Sequence, residues 1–305
     1  MSKKKAHLFH EKLNANFGYF YTYNKVLVKT KSKYQSIKLI DTNEFGKVLL
    51  LDSITQVGEK NDYLYHEPMV HSAMCAHPLP LDVLIIGGGD GGILREVLRH
   101  SCVRKVDMVD LDEKVVSFSK KYLPRISNGA FNNKKAHIYF GDGRAFVEKS
   151  KNKYDVIIMD VTDPFGPSVM LYTKESFTHI KNSFKNNKGI FTMHIESPIS
   201  RPRVFNAIYK TLKSVFRYVV PHYIYIQMYA VLWGIGVSSN GIDISGITSS
   251  TLGERLRKRK VGRLHAIDKD TIKAMQVPYP YIRDILKNKA RVVRDKDPYL
   301  QNYLF

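Results

Sequence analysis

The chain has 305 residues, 44% apolar and 25% charged, which suits a folded globular protein with a sizeable core. It contains no run of about 18 apolar residues, so no segment reads as a membrane span. Lys and Arg number 48 against 28 Asp and Glu, a net charge of +20 that favours acidic surfaces and mildly repels cations such as polyamines.

That charge is concentrated in Lys3–Lys5, Arg255–Lys260 and Lys287–Arg294, near the ends and away from the acidic motifs below. A solvated basic surface is the reading adopted, with adventitious RNA binding as its rival. The first seven residues carry charge with no apolar run behind them, so a cytoplasmic location is expected rather than secretion. Cys75 and Cys102 fit neither a disulfide framework nor a metal knuckle and are read as reduced thiols.

Residues 16–57 read as short strands: Phe20–Val28, Tyr34–Ile40 with its alternation Tyr-Gln-Ser-Ile-Lys-Leu-Ile, and Lys47–Asp52. Asp41-Thr42-Asn43 is a turn between two of them. A small antiparallel β domain over residues 1–75 is expected.

The pattern changes near Pro78. Leu81–Ile86 is a continuous apolar strand of the fully buried type, running into Gly87-Gly88-Gly89-Asp90-Gly91-Gly92 and a helix over Ile93–His100. Strand Lys105–Val109 ends at Asp110 and is followed by helix Glu113–Tyr122. Strand Ala136–Phe140 precedes Gly141-Asp142-Gly143, and strand Tyr154–Met159 ends at Asp160. Helix Lys174–Phe184, strand Gly189–Met193, helix Pro202–Val215 and strands Tyr218–Gln227 and Trp233–Ser238 follow. This alternation predicts an α/β fold: a Rossmann-like, doubly wound, mostly parallel sheet over residues 76–305, with a basic C-terminal extension. Residues 242–272 are basic and poorly periodic, so a mobile loop or short helices are expected there.

Ligands of open α/β sheets bind at the carboxyl ends of the strands, and Asp90, Asp110, Asp142 and Asp160 stand at four such ends. One such Asp is often a helix cap; four in succession point to a shared ligand. A glycine turn lets the backbone approach a nucleoside closely, but Asp90 within it would repel a pyrophosphate at the helix N-terminus. It suits a cationic nucleoside instead. Asp110 has the spacing of a ribose-binding acid. Asp142 can accept from an adenine amine. Asp160 and Asp163, three residues apart, can bind an alkylammonium and take its proton, and Asp163-Pro164 also fits a simple turn.

The blocks Gly87–Val97, Asp110-Leu111-Asp112 and Asp160-Val161-Thr162-Asp163-Pro164 resemble the signature blocks of the spermidine synthase family, as do Tyr34-Gln35, Leu51-Asp52 with Gln56, and Tyr65-His66-Glu67. The resemblance spans roughly residues 8–240, in family order. It implies a class I methyltransferase-like catalytic domain and transfer of an aminopropyl group from decarboxylated S-adenosylmethionine, with no resident cofactor and no metal. It also implies donor contacts from Gln35, His66, Asp90, Asp110, Asp142 and Gly143. Asp160 would be the base, with Asp163, Tyr65, Glu196 and Tyr229 on the acceptor side and the loop Phe165–Tyr172 closing over the site. A homodimer or homotetramer, assembled partly through the β domain, is implied as well.

The sequence departs from that pattern at three places. Asn61-Asp62 replaces the usual acidic pair, Ser53 stands where glycine is usual, and Tyr229-Ala230-Val231-Leu232-Trp233-Gly234 replaces a Pro-Ser-Gly turn. The Trp-Gly pair is more like thermospermine synthase and related branches. Putrescine is the favoured acceptor, with agmatine, cadaverine and spermidine as alternatives. An S-adenosylmethionine-dependent amine N-methyltransferase shares these blocks, but Asp90 would repel its donor's carboxylate. A specific nucleic-acid binder rests on charge alone and is not expected.

Overall fold

The computed structural model describes residues 6–300, so the Lys3–Lys5 cluster lies outside the described residues. β1 (His7–Lys12) and β2 (Gly18–Tyr23) form an antiparallel hairpin. β3 (Lys25–Lys31), β4 (Ser36–Thr42), β5 (Gly46–Leu51) and β6 (Ile54–Gly58) form a four-stranded antiparallel sheet in that order. The expected strand Phe20–Val28 is therefore two strands. It breaks at Asn24, whose N–H donates to Asp41 O and whose amide donates to the Asp41 carboxylate, so β2 pairs with β1 while β3 pairs with β4.

α1 (Tyr63–Ala76) follows. Sequence periodicity misses it because every residue from His66 to Ala76 is buried, leaving no polar stripe to reveal a helix. It packs on α2 and on strands of the large sheet described next, and the division expected at residues 75/76 falls at its last turn. β7 (Asp82–Gly87), α2 (Gly92–Leu98), β8 (Lys105–Asp110), α3 (Glu113–Tyr122), α4 (Pro124–Ser127) and β9 (Ala136–Phe140) build one wing of that sheet. α5 (Gly143–Lys149), β10 (Val156–Asp160), α6 (Lys174–Asn182), β11 (Ile190–His194), α7 (Pro202–Lys213), β12 (Tyr218–Ile226) and β13 (Val231–Ser239) build the other.

The sheet runs β12-β13-β11-β10-β7-β8-β9. Its five-strand block from β11 to β9 is parallel, and β13 joins it antiparallel. The chain winds outward from β7 through β8 to β9, then returns to the other side of β7 as β10. That reversal opens a crevice at the carboxyl ends of β7 and β10. Both faces of β7 are covered: Val83 and Ile85 pack in one core cluster, Leu84 and Ile86 in the other.

The basic region 242–272 contains two short helices, α8 (Ser249–Lys258) and α9 (Lys269–Ala274), and α10 (Pro280–Lys287) lies beyond them. Leu252, Ile267, Ile272 and Met275 pack on the buried thiol-bearing Cys75 of α1. Part of the basic run is structural rather than solvated. Arg255 Nη1 donates to Cys75 O at 2.6 Å and Ala76 O at 2.8 Å. Arg259, 5% exposed, donates to Met74 O at 2.5 Å and to His77 O and Pro78 O at 2.8 Å each. Two guanidinium groups thus satisfy the last carbonyls of α1 and lie at the negative end of its dipole. Arg259→Met is expected to lower the free energy of unfolding by about 2–4 kcal/mol. Urea titration checks this; a loss under about 0.5 kcal/mol, the usual surface value, would deny Arg259 that role.

Candidate active site

The glycine turn after β7 is forced by its neighbours. Gly87 has φ +84, and a Cβ there would overlap the carbonyl oxygen of Asp160 on β10. That carbonyl accepts from the Gly88 N–H at 2.8 Å. A Cβ at Gly92 would strike the His66 ring. Close approach thus places Asp90 and Asp160 at one mouth, with His66 of α1 beneath them.

One cavity there is lined by Gln35, Tyr65, His66, Asp90, Asp110, Asp142, Gly143, Asp160, Asp163 and Tyr229. All four strand-end acids face it. Some also serve the backbone. Asp142 caps α5 by accepting from the Ala145 N–H at 2.9 Å, Asp90 accepts from the Gly92 N–H at 2.7 Å, and Asp110 accepts from the Asp112 N–H at 2.8 Å. Gln35 donates to Asp112 at 3.1 Å, tying the small sheet to the donor side.

His66 is clamped between two carboxylates, Nδ1 to Asp62 at 2.9 Å and Nε2 to Asp90 at 3.3 Å. Burial alone would lower its pKa; Asp90 and Asp62 reverse that and push it up to about 10, so the ring is an imidazolium. A chain of partners runs on behind it. Arg95 joins Asp62 and Glu96, each at 2.7 Å, and Glu96 holds His71, whose other nitrogen meets His100, each at 2.9 Å. Despite burial, His71 and the arginines keep Glu96 well below the usual carboxylate range.

Asp160 accepts from the Tyr65 hydroxyl at 2.8 Å. Burial first, then the Asp90 carboxylate, pushes its pKa up to about 7, with His66 and Tyr65 opposing. Burial likewise pushes Asp110 up to about 6, against the backbone N–H groups that hold it. A carboxylate poised near neutrality beside a buried cation site can accept a proton from an amine.

The far wall is aromatic. Tyr229 lies edge-on to Tyr65 and beside Trp233, which stacks on His194, and the Tyr229 hydroxyl donates to Gln56 O at 2.6 Å. The altered turn after Tyr229 passes through Ala230 at φ +52, and Trp233 now lines the cavity. Glu196, expected on the acceptor side, is fully buried and is absent from the cavity wall; it is ion-paired with Arg201, which also binds Asp163. Gly166–Tyr172 is a short 3₁₀ segment with Pro167, Ser168, Met170 and Leu171 on the cavity. Among the described residues no group of three or more His, Cys, Asp or Glu is arranged to hold a metal ion.

Comparison with known proteins agrees with this geometry. Residues 62–243 match the model of the spermine/spermidine synthase domain, and residues 8–59 that of the spermidine synthase tetramerisation domain. The chain is 37% identical over 270 residues to polyamine aminopropyltransferase 2 of Hyperthermus butylicus, covering 88% of each. It is 31% identical over 285 residues to the polyamine aminopropyltransferase of Nitrosomonas europaea, covering 93% of this chain and 87% of that one. A spermidine synthase solved in complex with the transition state analogue AdoDATO superposes with a TM-score of 0.86 at 31% identity, over 94% of this chain and 98% of that one.

The chain belongs to the spermidine synthase family. It is a transferase of the polyamine aminopropyltransferase class, built on the family's β domain and Rossmann-like sheet. Four residues that this family member places at or behind the site escaped the sequence reading: Glu11, Asp62, Arg95 and Arg201. Glu11 and Arg201 line the cavity, yet each is a lone charge with no motif around it. Arg95 lies inside the Gly87–Val97 block and Asp62 in the altered Asn61-Asp62 pair, and only their contact in space reveals their task.

The raised carboxylates have a cost that pH exposes. Asp160 has its folded pKa above its unfolded value of about 3.9, so the folded state keeps a proton that the unfolded chain gives up. Stability from this group therefore falls as pH rises from about 4 to 7 and levels off above. Without substrate, Asp160→Asn is expected to gain in melting temperature relative to the wild type across that window. Thermal scans of both proteins from pH 4.5 to 8 check it; a constant difference would contradict the burial of Asp160 as an acid.

Proposed function

We propose that the chain transfers the aminopropyl group of decarboxylated S-adenosylmethionine to a diamine, putrescine foremost, and releases methylthioadenosine. The observation that carries this reading is Asp160, hydrogen-bonded to Tyr65 in a cavity where it keeps a proton affinity near neutrality. The donor carries two positive charges, on its sulfonium and its amine. Asp90, backed by His66, suits the amine and disfavours the carboxylate of S-adenosylmethionine itself. Asp110 suits the ribose hydroxyls, and Asp142 the adenine amine.

The acceptor ammonium yields a proton to the Asp160 carboxylate, freeing its lone pair. The nitrogen attacks the propyl carbon next to sulfur, the carbon–sulfur bond breaks, and the electron pair neutralises the sulfonium. Tyr65 and Tyr229 shape the slot in which the nitrogen is aligned. The matched tetramerisation domain supports assembly of the chain into a homotetramer through its β sheet. No described helix is long and apolar enough to cross a membrane, and a cytoplasmic location is part of the proposal.

The protein, supplied with either donor, is to be offered putrescine, cadaverine, agmatine and spermidine in turn, with products read by mass spectrometry. Methylthioadenosine and spermidine are expected from decarboxylated S-adenosylmethionine and putrescine. Asp160→Asn is expected to lower kcat/KM by at least about 100-fold. A methylated amine formed from S-adenosylmethionine would replace this reading with amine methylation.

A further inference from the structure

Arg201 is an internal cation at the acceptor end of the cavity. It stands just before α7, with its side chain 12% exposed. Nη1 donates to Asp163 Oδ2 at 2.6 Å and to both Glu196 oxygens at 3.1 Å, while Nε donates to Leu13 O at 2.7 Å. Its guanidinium lies over the Phe165 ring at 5.6 Å. Four separate pieces of chain therefore fix it: the loop after β1, the Asp160–Asp163 block, the start of the closing loop and the segment just after β11.

We propose that Arg201 is a specificity-determining residue: by occupying the carboxyl groups of Asp163 and Glu196 it limits the acceptor to a diamine with one remote ammonium and rejects a triamine with two. This rests on the aminopropyl-transfer reading above. The carboxylates near this end are Asp160, Asp163, Glu196 and Glu11. Asp160 is committed to the attacking nitrogen. Burial, reinforced by Asp163, pushes Glu196 up to about 8, so near neutral pH it carries a proton. Asp163 and Arg201 then cancel, and the trio has no net charge to offer a cation.

Glu11 is what remains. It lines the same cavity and its Oε2 accepts from the Thr55 N–H at 2.8 Å; burial raises its pKa against the Thr55 hydrogen bonds, so a cation beside it is what would hold it ionised. Among the described residues no Lys, Arg or His is ion-paired with Glu11, so this one acid matches one remote ammonium. A second ammonium would have to approach a fixed guanidinium in a buried slot, where like charges repel far more strongly than in water.

The test compares kcat/KM for putrescine and spermidine, with decarboxylated S-adenosylmethionine as donor, in the wild type, Arg201→Gln, Arg201→Lys and the double variant Arg201→Gln/Glu196→Gln. The double variant removes the buried acid that the single change would leave without its partner. The wild type is expected to prefer the diamine. Arg201→Gln and the double variant are expected to narrow that preference by about tenfold or more, mainly through a lower KM for the triamine. Arg201→Lys keeps the charge and is expected to keep the preference. A wild type that prefers the triamine, a ratio unchanged within about twofold in both Gln variants, or a preference lost in Arg201→Lys would each overturn the inference. Absence of methylthioadenosine from the wild type with every amine would instead bring down the underlying reading, and this inference with it.

Discussion

The structure depends on one electrostatic constraint: a parallel sheet gathers carboxylates at the carboxyl ends of its strands and withdraws Asp110 and Asp160 among them from water. Asp90, Asp110, Asp142 and Asp160 face one cavity, and Asp163 and Glu11 join them from the loop and from β1. Like charges in a poorly polarisable space resist ionisation together. Asp160 and Asp110 accordingly hold their protons more tightly than carboxyl groups in water. Such a site is costly for the protein alone and complementary to a ligand with several positive charges.

What permits the arrangement is a matched set of cations placed behind the carboxylates. His66 is held as an imidazolium between Asp62 and Asp90, and the ion pairs continue through Arg95 to Glu96, which is hydrogen-bonded to His71. α1 carries one half of this chain and α2 carries the other. The C-terminal arginines Arg255 and Arg259 seal the end of α1. Residues some 180 positions distant in sequence thus anchor the helix that presents Tyr65 and His66 to the site. On the acceptor side Arg201 plays the corresponding part for Asp163 and Glu196.

The donor half of the site was legible in the sequence because each of its acids terminates a recognisable apolar strand. Strand ends converge by topology, so Asp90, Asp110, Asp142 and Asp160 could be placed together without coordinates. The acceptor half is assembled from segments that share no periodicity: Glu11 on a hairpin, Arg201 before a helix, Trp233 on the antiparallel strand β13. Glu196 was expected on the acceptor side from its place in the chain, yet a left-handed backbone at φ +69 accompanies a side chain buried behind Arg201. α1 escaped notice because a helix buried on all sides has no amphipathic signature. Arg255 and Arg259 read as surface charge, since nothing in a basic run marks which residues meet carbonyl groups.

The protonated carboxylates are the central physical claim, and proton counting tests it most directly. Decarboxylated S-adenosylmethionine, without acceptor, would be titrated into the protein by calorimetry in buffers of different ionisation enthalpy. A cationic donor drives Asp160 and Asp110 to ionise, so net proton release is expected at pH 6.5, fading by pH 8.5 as both carboxyl groups are already ionised. Binding with no change in protonation across that range, or with proton uptake, would contradict a site built on carboxylates held neutral until their cationic substrate arrives.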